Sequence, residues 1–168
     1  MSEAGGRVWR FGDDIDTDVL APGIYMKRPI AEMAQHCLEA VDGRFAKEVR
    51  PGDIVVAGRN FGMGSSREQA AQALLALGVT AILAKSFGGI FYRNALNHGL
   101  LALTCPDADR IEAGDRLSID GVKGEVFNRR TGERLACEPL PPHLLEMIAD
   151  GGLVAHLEKK LARKRVGT

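Results

Sequence analysis

Between residues 53 and 104 the chain repeats one pattern, and that pattern limits its fold more than any other feature. Residues 53–57 (Asp-Ile-Val-Val-Ala) form a short apolar run that reads as a buried strand. Residues 68–77 read as a helix apolar on most of its surface, and Gly78 closes it as a C-terminal glycine. Residues 79–84 are the next strand, residues 87–97 a second helix closed by Gly99, and residues 100–104 a third strand. Strand, helix, strand, helix, strand at this spacing predicts right-handed β-α-β units on a mainly parallel sheet.

The flanks have a different texture. Residues 7–11 read as a first strand containing Val8 and Trp9, followed by the acidic run Asp13-Asp14-Ile15-Asp16-Thr17-Asp18. A loop holding Pro22 and Gly23 covers residues 21–29. Ile30, Met33, Ala34, Cys37 and Leu38 have helical spacing, which predicts a helix over residues 30–41. After Pro106, residues 116–120 and 124–128 alternate as strands around a Gly121-Val122-Lys123 connection, and residues 134–137 suggest another. Residues 141–149 and 153–162 look helical, and a tail from about residue 163 is expected to be disordered. The expectation is one α/β domain over residues 1–168, with β-rich flanks and a core of ordinary size.

Charge excludes several functions. Twenty-two basic and 22 acidic side chains cancel, so no global field points to nucleic acid. The basic stretch Lys159, Lys160, Arg163, Lys164, Arg165 suits a helix C-terminus. Residues 1–6 lack the pattern of a secretory signal, and no apolar stretch reaches the ~18 residues of a membrane helix. Cys37, Cys105 and Cys137 are odd in number and widely spaced, as expected of reduced thiols in a cytoplasmic protein, and none forms C-x-x-C.

The chemistry concentrates in Gly58-Arg59-Asn60-Phe61-Gly62-Met63-Gly64-Ser65-Ser66-Arg67-Glu68. This stretch runs from the end of a strand into a helix. Its glycines allow tight turns and close approach of a ligand. The unpaired N–H groups and dipole at a helix start favour an anion. Arg67 can grip a carboxylate with two parallel hydrogen bonds. A small acidic ligand with a serine in reach fits this pattern. The plainer reading is a capping box, with Ser65 capping the helix and Glu68 bonding back, and both readings can hold together.

Other glycine motifs fail. A P-loop requires Gly where Met63 stands and a lysine that is missing; a dinucleotide fingerprint has Arg67 at its last glycine. A nucleophile elbow centred on Ser66 would need glycine where Glu68 stands. Asp14, Asp16 and Asp18 open like a calcium loop, but Val19 and Tyr25 occupy its required glycine and glutamate positions. An Asp-rich turn is the plainer account, although the run is more acidic than a turn requires. His36, His98, His143 and His156 have no metal-ligand spacing and read as surface or satisfied residues. Lys85-Ser86-Phe87 is a second anion-friendly helix start, or simply a cap.

Taken together, several segments resemble the aconitase family, in its branch of 3-isopropylmalate dehydratase small subunits. They are Phe11-Gly12-Asp13-Asp14-Ile15-Asp16-Thr17-Asp18, Gly52-Asp53-Ile54-Val55-Val56-Ala57-Gly58, Asn60 through Ala70, Ala84-Lys85-Ser86-Phe87, Ile90-Phe91-Tyr92-Arg93-Asn94 and Asn97-His98-Gly99-Leu100. Their order and spacing span nearly the whole chain, at the length of the shorter, archaeal-type small subunits. The resemblance implies a swivelling β/β/α domain and a separate large subunit that carries a [4Fe–4S] cluster. No metal ligand is expected in this chain.

The resemblance also implies a reaction: water leaves a substituted malate and returns with opposite regiochemistry. By the motif match Ser65 is the base, acting as an alkoxide, while Ser66 and Arg67 hold a substrate carboxylate and Asp18 orients basic groups. Substrate choice is implied for Tyr25, Met26, Lys27 and Arg28. Family members often carry Tyr-Leu-Arg-Thr there, so Lys27 keeps a charge without the planar fork and Arg28 restores it one residue on. Homoaconitate, dimethylmalate or methylmalate are the alternative substrates, and an acid-binding subunit without catalysis is a third reading. Met63 replaces a common cysteine, Arg59 a common glutamate, and Gly88-Gly89 the usual Ala-Arg or Ala-Asp. An isolated small subunit is also expected to expose an interface able to self-associate.

Overall fold

A computed structural model describes residues 5–166. Seven strands form one sheet in the order β4-β3-β2-β1-β5-β6-β7. Strands β1 (Gly6–Arg10), β2 (Ile54–Ala57), β3 (Ala81–Ala84) and β4 (Leu101–Thr104) pair in parallel. Strands β5 (Arg116–Asp120), β6 (Glu125–Asn128) and β7 (Arg134–Ala136) pair antiparallel. β1 joins the two halves, with Val8, Trp9 and Arg10 beside β2, and Gly6 and Arg7 beside β5. The expected mixture of β-α-β units and β-rich flanks is the architecture observed.

Every residue of β2 and β3 is buried, as expected of central strands covered on both faces. Helix α4 (Gln69–Ala76) connects β2 to β3, and α5 (Gly89–Asn97) connects β3 to β4. These helices pack on each other, as successive crossovers of one hand require. Three short helices, α1 (Thr17–Leu20), α2 (Ile30–Ala34) and α3 (Phe45–Glu48), fill the connection from β1 to β2. Helices α6 (Pro142–Ala149) and α7 (Leu153–Val166) form a C-terminal pair.

Some boundaries differ from expectation. The helix expected over residues 30–41 ends at Ala34. Leu38 takes a left-handed φ of 60°, buries its side chain and gives its N–H to the Val19 carbonyl. Tertiary burial and that bond outcompete the helical spacing. In place of a disordered tail from residue 163, α7 continues to Val166; residues 167–168 lie outside the described ones. The 121–123 connection is an Asx turn in which Asp120 Oδ1 accepts the Val122 and Lys123 amides.

Candidate active site

The loops leaving the carboxyl ends of β1, β2 and β3 are laced into one platform. Asp13 Oδ1 accepts the Arg59 amide at 2.7 Å, and the Asp14 amide donates to the Arg59 carbonyl at 2.8 Å. Asn60 Nδ2 donates to Asp14 Oδ1 at 3.0 Å, and the Asn60 amide donates to Ser86 Oγ at 2.9 Å. Asp14 and Asn60 both hold left-handed φ values, near 58° and 59°. Asn and Asp tolerate that region through local side-chain hydrogen bonds, which this pair makes with each other. The Gly62 amide then bonds the Ile15 carbonyl at 2.6 Å. Gly62 has φ +81°, and a Cβ there would lie 2.1 Å from Phe91, so only glycine fits.

Ser86 therefore holds Asn60 and does not cap α5, whose N-cap is Gly88. The acidic run is also accounted for within the chain. Asp16 caps α1 by accepting the Val19 amide, and Asp13, Asp14 and Asp18 each take hydrogen bonds from the platform.

Ser65, Thr17, Arg67 and Asp18 come together on this platform. The capping box is absent: α4 starts at Gln69 after an N-cap Glu68 whose side chain makes no capping bond and lies 3.8 Å from His98 Nε2 instead. The Ser65 amide donates instead to Thr17 Oγ1 at 3.2 Å, and the two hydroxyl oxygens lie 3.2 Å apart. Ser65 is exposed while Thr17 is buried. Ser66 is exposed, and its carbonyl accepts Asn94 Nδ2 at 3.5 Å. Arg67 Nη1 donates to Asp18 Oδ1 at 2.7 Å and to the Ala21 carbonyl at 3.1 Å. Hydrogen bonds from Arg67 first and the Gly23 amide second hold the Asp18 carboxyl below the usual carboxylate range. Asp18 is thus an anion at neutral pH and fixes a cation beside the serine hydroxyls.

The loop of residues 23–28 lies next to this group but is only partly engaged with it. Gly23 opens the turn Gly23–Tyr25, and its amide bonds Asp18 Oδ1 at 3.0 Å. Tyr25 stacks on His36 at 3.8 Å between ring centres, and Met26 packs against the core. Arg28 is exposed and pairs with Glu32 at 3.1 Å, away from Arg67. Lys27 is exposed, and no contact joins it to Ser65, Arg67 or Asp18 among the described residues.

The platform is open. An apolar cavity of about 380 Å³, lined in part by Gly52, Ile54, Thr80, Leu101 and Ile148, lies at the amino-terminal ends of the same strands, and no site residue lines it. Ser65 and Ser66 are exposed and Arg67 is half-buried, and Ile24, Met63 and Ile90, on or beside the loops that build the platform, are also exposed.

Sequence reasoning missed Thr17 as a partner of Ser65, and the Asp14–Asn60 clasp. One signal for Thr17 was available: acids alternate with less polar residues in Asp14-Ile15-Asp16-Thr17-Asp18, and Ile15 and Thr17 are the ones the structure buries. Sequence spacing also hid that Cys105 and Cys137 come close together, with Cys105 Sγ donating to the Ala136 carbonyl at 4.0 Å. All three cysteines are buried, and Cys37 lies in the core apart from that pair. These thiols do not fit an iron–sulfur cluster, whose thiolate ligands must converge on one point, because the three do not come together. His156 is buried against Asp150, with ring nitrogen and carboxylate 2.7 Å apart, and Glu146 lies nearby. Lys159 also bonds Asp150 at 2.8 Å, so the chain supplies a cation there itself.

A mixed α/β domain with an open polar platform at the carboxyl ends of its parallel strands is the class defined here, and ligands of such sheets bind at that end. The chain belongs to the aconitase family, in the branch of 3-isopropylmalate dehydratase small subunits. The family model "Aconitase C-terminal domain" matches residues 18–108. "3-Isopropylmalate dehydratase small subunit 1" of Archaeoglobus fulgidus is 52% identical, over 89% of this chain and 93% of that protein. The crystal structure of 3-isopropylmalate dehydratase from Methanocaldococcus jannaschii superposes with TM-score 0.91 at 42% identity, covering 98% of this chain and 99% of that one. A "Methanogen homoaconitase small subunit" of Methanothermobacter thermautotrophicus is 49% identical, over 93% of this chain and 91% of that protein. No described helix is long and apolar enough to cross a membrane.

Proposed function

We propose that this chain is the cytoplasmic small subunit of a 3-isopropylmalate dehydratase. It would isomerise 2-isopropylmalate to 3-isopropylmalate by dehydration and rehydration, in leucine biosynthesis. The observation that carries the reading is the exposed Ser65 hydroxyl beside an arginine anchored by Asp18, on a face with no wall of its own. A hydro-lyase must exclude water while it holds a diacid, so this half-site needs a second surface. The large subunit supplies that surface, and the exposed side chains of Ile24, Met63 and Ile90 form its apolar seat. The same rim would let the isolated chain self-associate. The chain then works as one swivelling domain closing on its partner.

Each residue has a role in this scheme. Arg67 presents Nε and Nη2 to one substrate carboxylate, since Nη1 is committed to Asp18 and Ala21. Ser66 lies beside that carboxylate. Ser65, as an alkoxide, takes the proton from the carbon next to the hydroxyl-bearing one. The electrons of that C–H bond form the alkene as hydroxide departs, and Ser65 returns the proton on rehydration. The [4Fe–4S] cluster that the family uses belongs to the large subunit, because the thiols of this chain do not fit one. Tyr25, Met26, Lys27 and Arg28 face substrate selection, with Met26 nearest an apolar substituent.

One observation favours a second reading. Lys27 has no ion pair among the described residues and could meet an extra carboxylate, as in a homoaconitate-type substrate. The test is anaerobic reconstitution with the large subunit encoded beside it. 2-Isopropylmalate, homoaconitate and dimethylmalate are offered in parallel, and the alkene is followed by ultraviolet absorbance. Preference for isopropylmalate supports the first reading and preference for homoaconitate the second. No turnover with a cluster-loaded partner leaves an acid-binding subunit without catalysis.

A further inference from the structure

We propose that Thr17 is a positioning residue that stabilises the ionised form of Ser65. The proposal rests on the reading of Ser65 as the base.

A hydroxyl offers one donor and two acceptor sites. Thr17 Oγ1 accepts the Ser65 amide at 3.2 Å, which occupies a lone pair and leaves its proton free. The nearest hydroxyl partner for that proton is Ser65 Oγ, 3.2 Å away. While Ser65 is neutral, either oxygen can donate. Once Ser65 is an alkoxide it can only accept, so Thr17 must donate to it. A hydrogen bond to an ionised acceptor is roughly twice as strong as a neutral one. The contact therefore favours the anion over the neutral hydroxyl, which is what a serine base requires.

Thr17 is built to hold this orientation. It is 2% exposed, so water competes little for its hydroxyl. Its amide donates to the Met63 carbonyl at 2.9 Å, and Asp16 and Met63 form a parallel bridge. Thr17 and Ser65 are thus tied at backbone and side chain together. A Cβ on Gly64 would lie 3.1 Å from Thr17 Oγ1, so the glycine admits this approach. β-Branching also restricts χ1 of Thr17, which limits the directions its hydroxyl can take.

The test uses the reconstituted two-subunit enzyme with Thr17→Val, which keeps shape and removes the donor, and Thr17→Ser, which keeps the donor. Thr17→Val is expected to lower kcat about tenfold with KM little changed. The acidic limb of its kcat–pH profile should move up by about one unit, because the alkoxide becomes harder to form. Thr17→Ser should restore both. In a Ser65→Ala background Thr17→Val should add no further loss. If the valine variant does not fold, Thr17→Ala takes its place in each comparison.

An unchanged kcat and pH limb in Thr17→Val overturns the proposal. So does a serine variant as slow as the valine one, since the methyl and not the hydroxyl would then matter. A Ser65→Ala enzyme with near-normal turnover removes the base assignment itself. A dead Ser65→Ala enzyme beside an unaffected Thr17→Val removes the role of Thr17 alone.

Discussion

Arg67 Nη1 donates to Asp18 Oδ1 at 2.7 Å, joining the loop after β1 to the loop after β2 across 49 positions of sequence. The bond fixes the guanidinium plane and leaves its Nε–Nη2 edge free for a ligand. Asp18→Asn should loosen that plane and remove the balancing charge. Its carboxylate is largely exposed, so water screens the pair and the loss is modest. We expect kcat/KM to fall about three- to tenfold, mostly through KM. Arg67→Lys should be more severe, about ten- to a hundredfold, because a point charge replaces the fork. Steady-state kinetics of the reconstituted variants check both.

Ser65→Ala should separate chemistry from stability. The side chain is exposed, so the melting temperature and assembly with the large subunit should not change. With Ser65 as the proposed base, its loss should lower kcat by about 10²–10⁴. Unchanged turnover would assign the proton transfer elsewhere.

Acid stability should depend on Asp115, far from the site, where β5 meets β1. Burial pushes its carboxyl up, but Arg130, the Glu112 amide and Asn128 together hold it below the usual carboxylate range. A carboxyl with a folded pKa below its unfolded one stabilises the protein above the unfolded value. That contribution is lost as pH falls through the folded pKa. The wild type should therefore lose stability steeply below about pH 4. Asp115→Asn should reduce stability at neutral pH by about 1–3 kcal/mol and flatten the acid slope. Urea denaturation at several pH values measures both.

How much of this could be read in the sequence varies by element. β2, α4, β3, α5 and β4 were legible because their apolar runs are continuous and glycines end the helices. The 30–41 region was not, because Leu38 obeys a bond to Val19 that no local pattern encodes. At the site, residue types were legible and their connections were not. Ser65, Arg67 and Asp18 could be singled out from their motifs. The capping reading of Ser65 failed because its amide had a partner in Thr17, 48 positions away. Arg28, expected to restore the planar fork one residue on, pairs with Glu32 one helical turn away, a contact set by the helix start and not by the loop motif. The meeting of Cys105 and Cys137 depends on the β4 and β7 ends coming together, as in the Glu138 amide bond to the Thr104 carbonyl.

The two glycines at the start of α5 should respond in opposite ways. A Cβ on Gly88 would lie 2.9 Å from the Gly62 carbonyl oxygen and 3.1 Å from Met63 Cα. Both neighbours are backbone, so Gly88→Ala must displace the loop that carries Ser65. Gly89 has nothing within 4 Å of a built Cβ and is the first residue of α5. Gly89→Ala should raise stability by about 0.5–1 kcal/mol, by limiting the freedom of the unfolded chain. Gly88→Ala should lower stability by about 1–3 kcal/mol and kcat with it. Thermal melts and kinetics on the two variants, side by side, check the contrast. Equal effects would mean that the loop yields freely at Gly62, and that the packing of Gly88 does not place the serine.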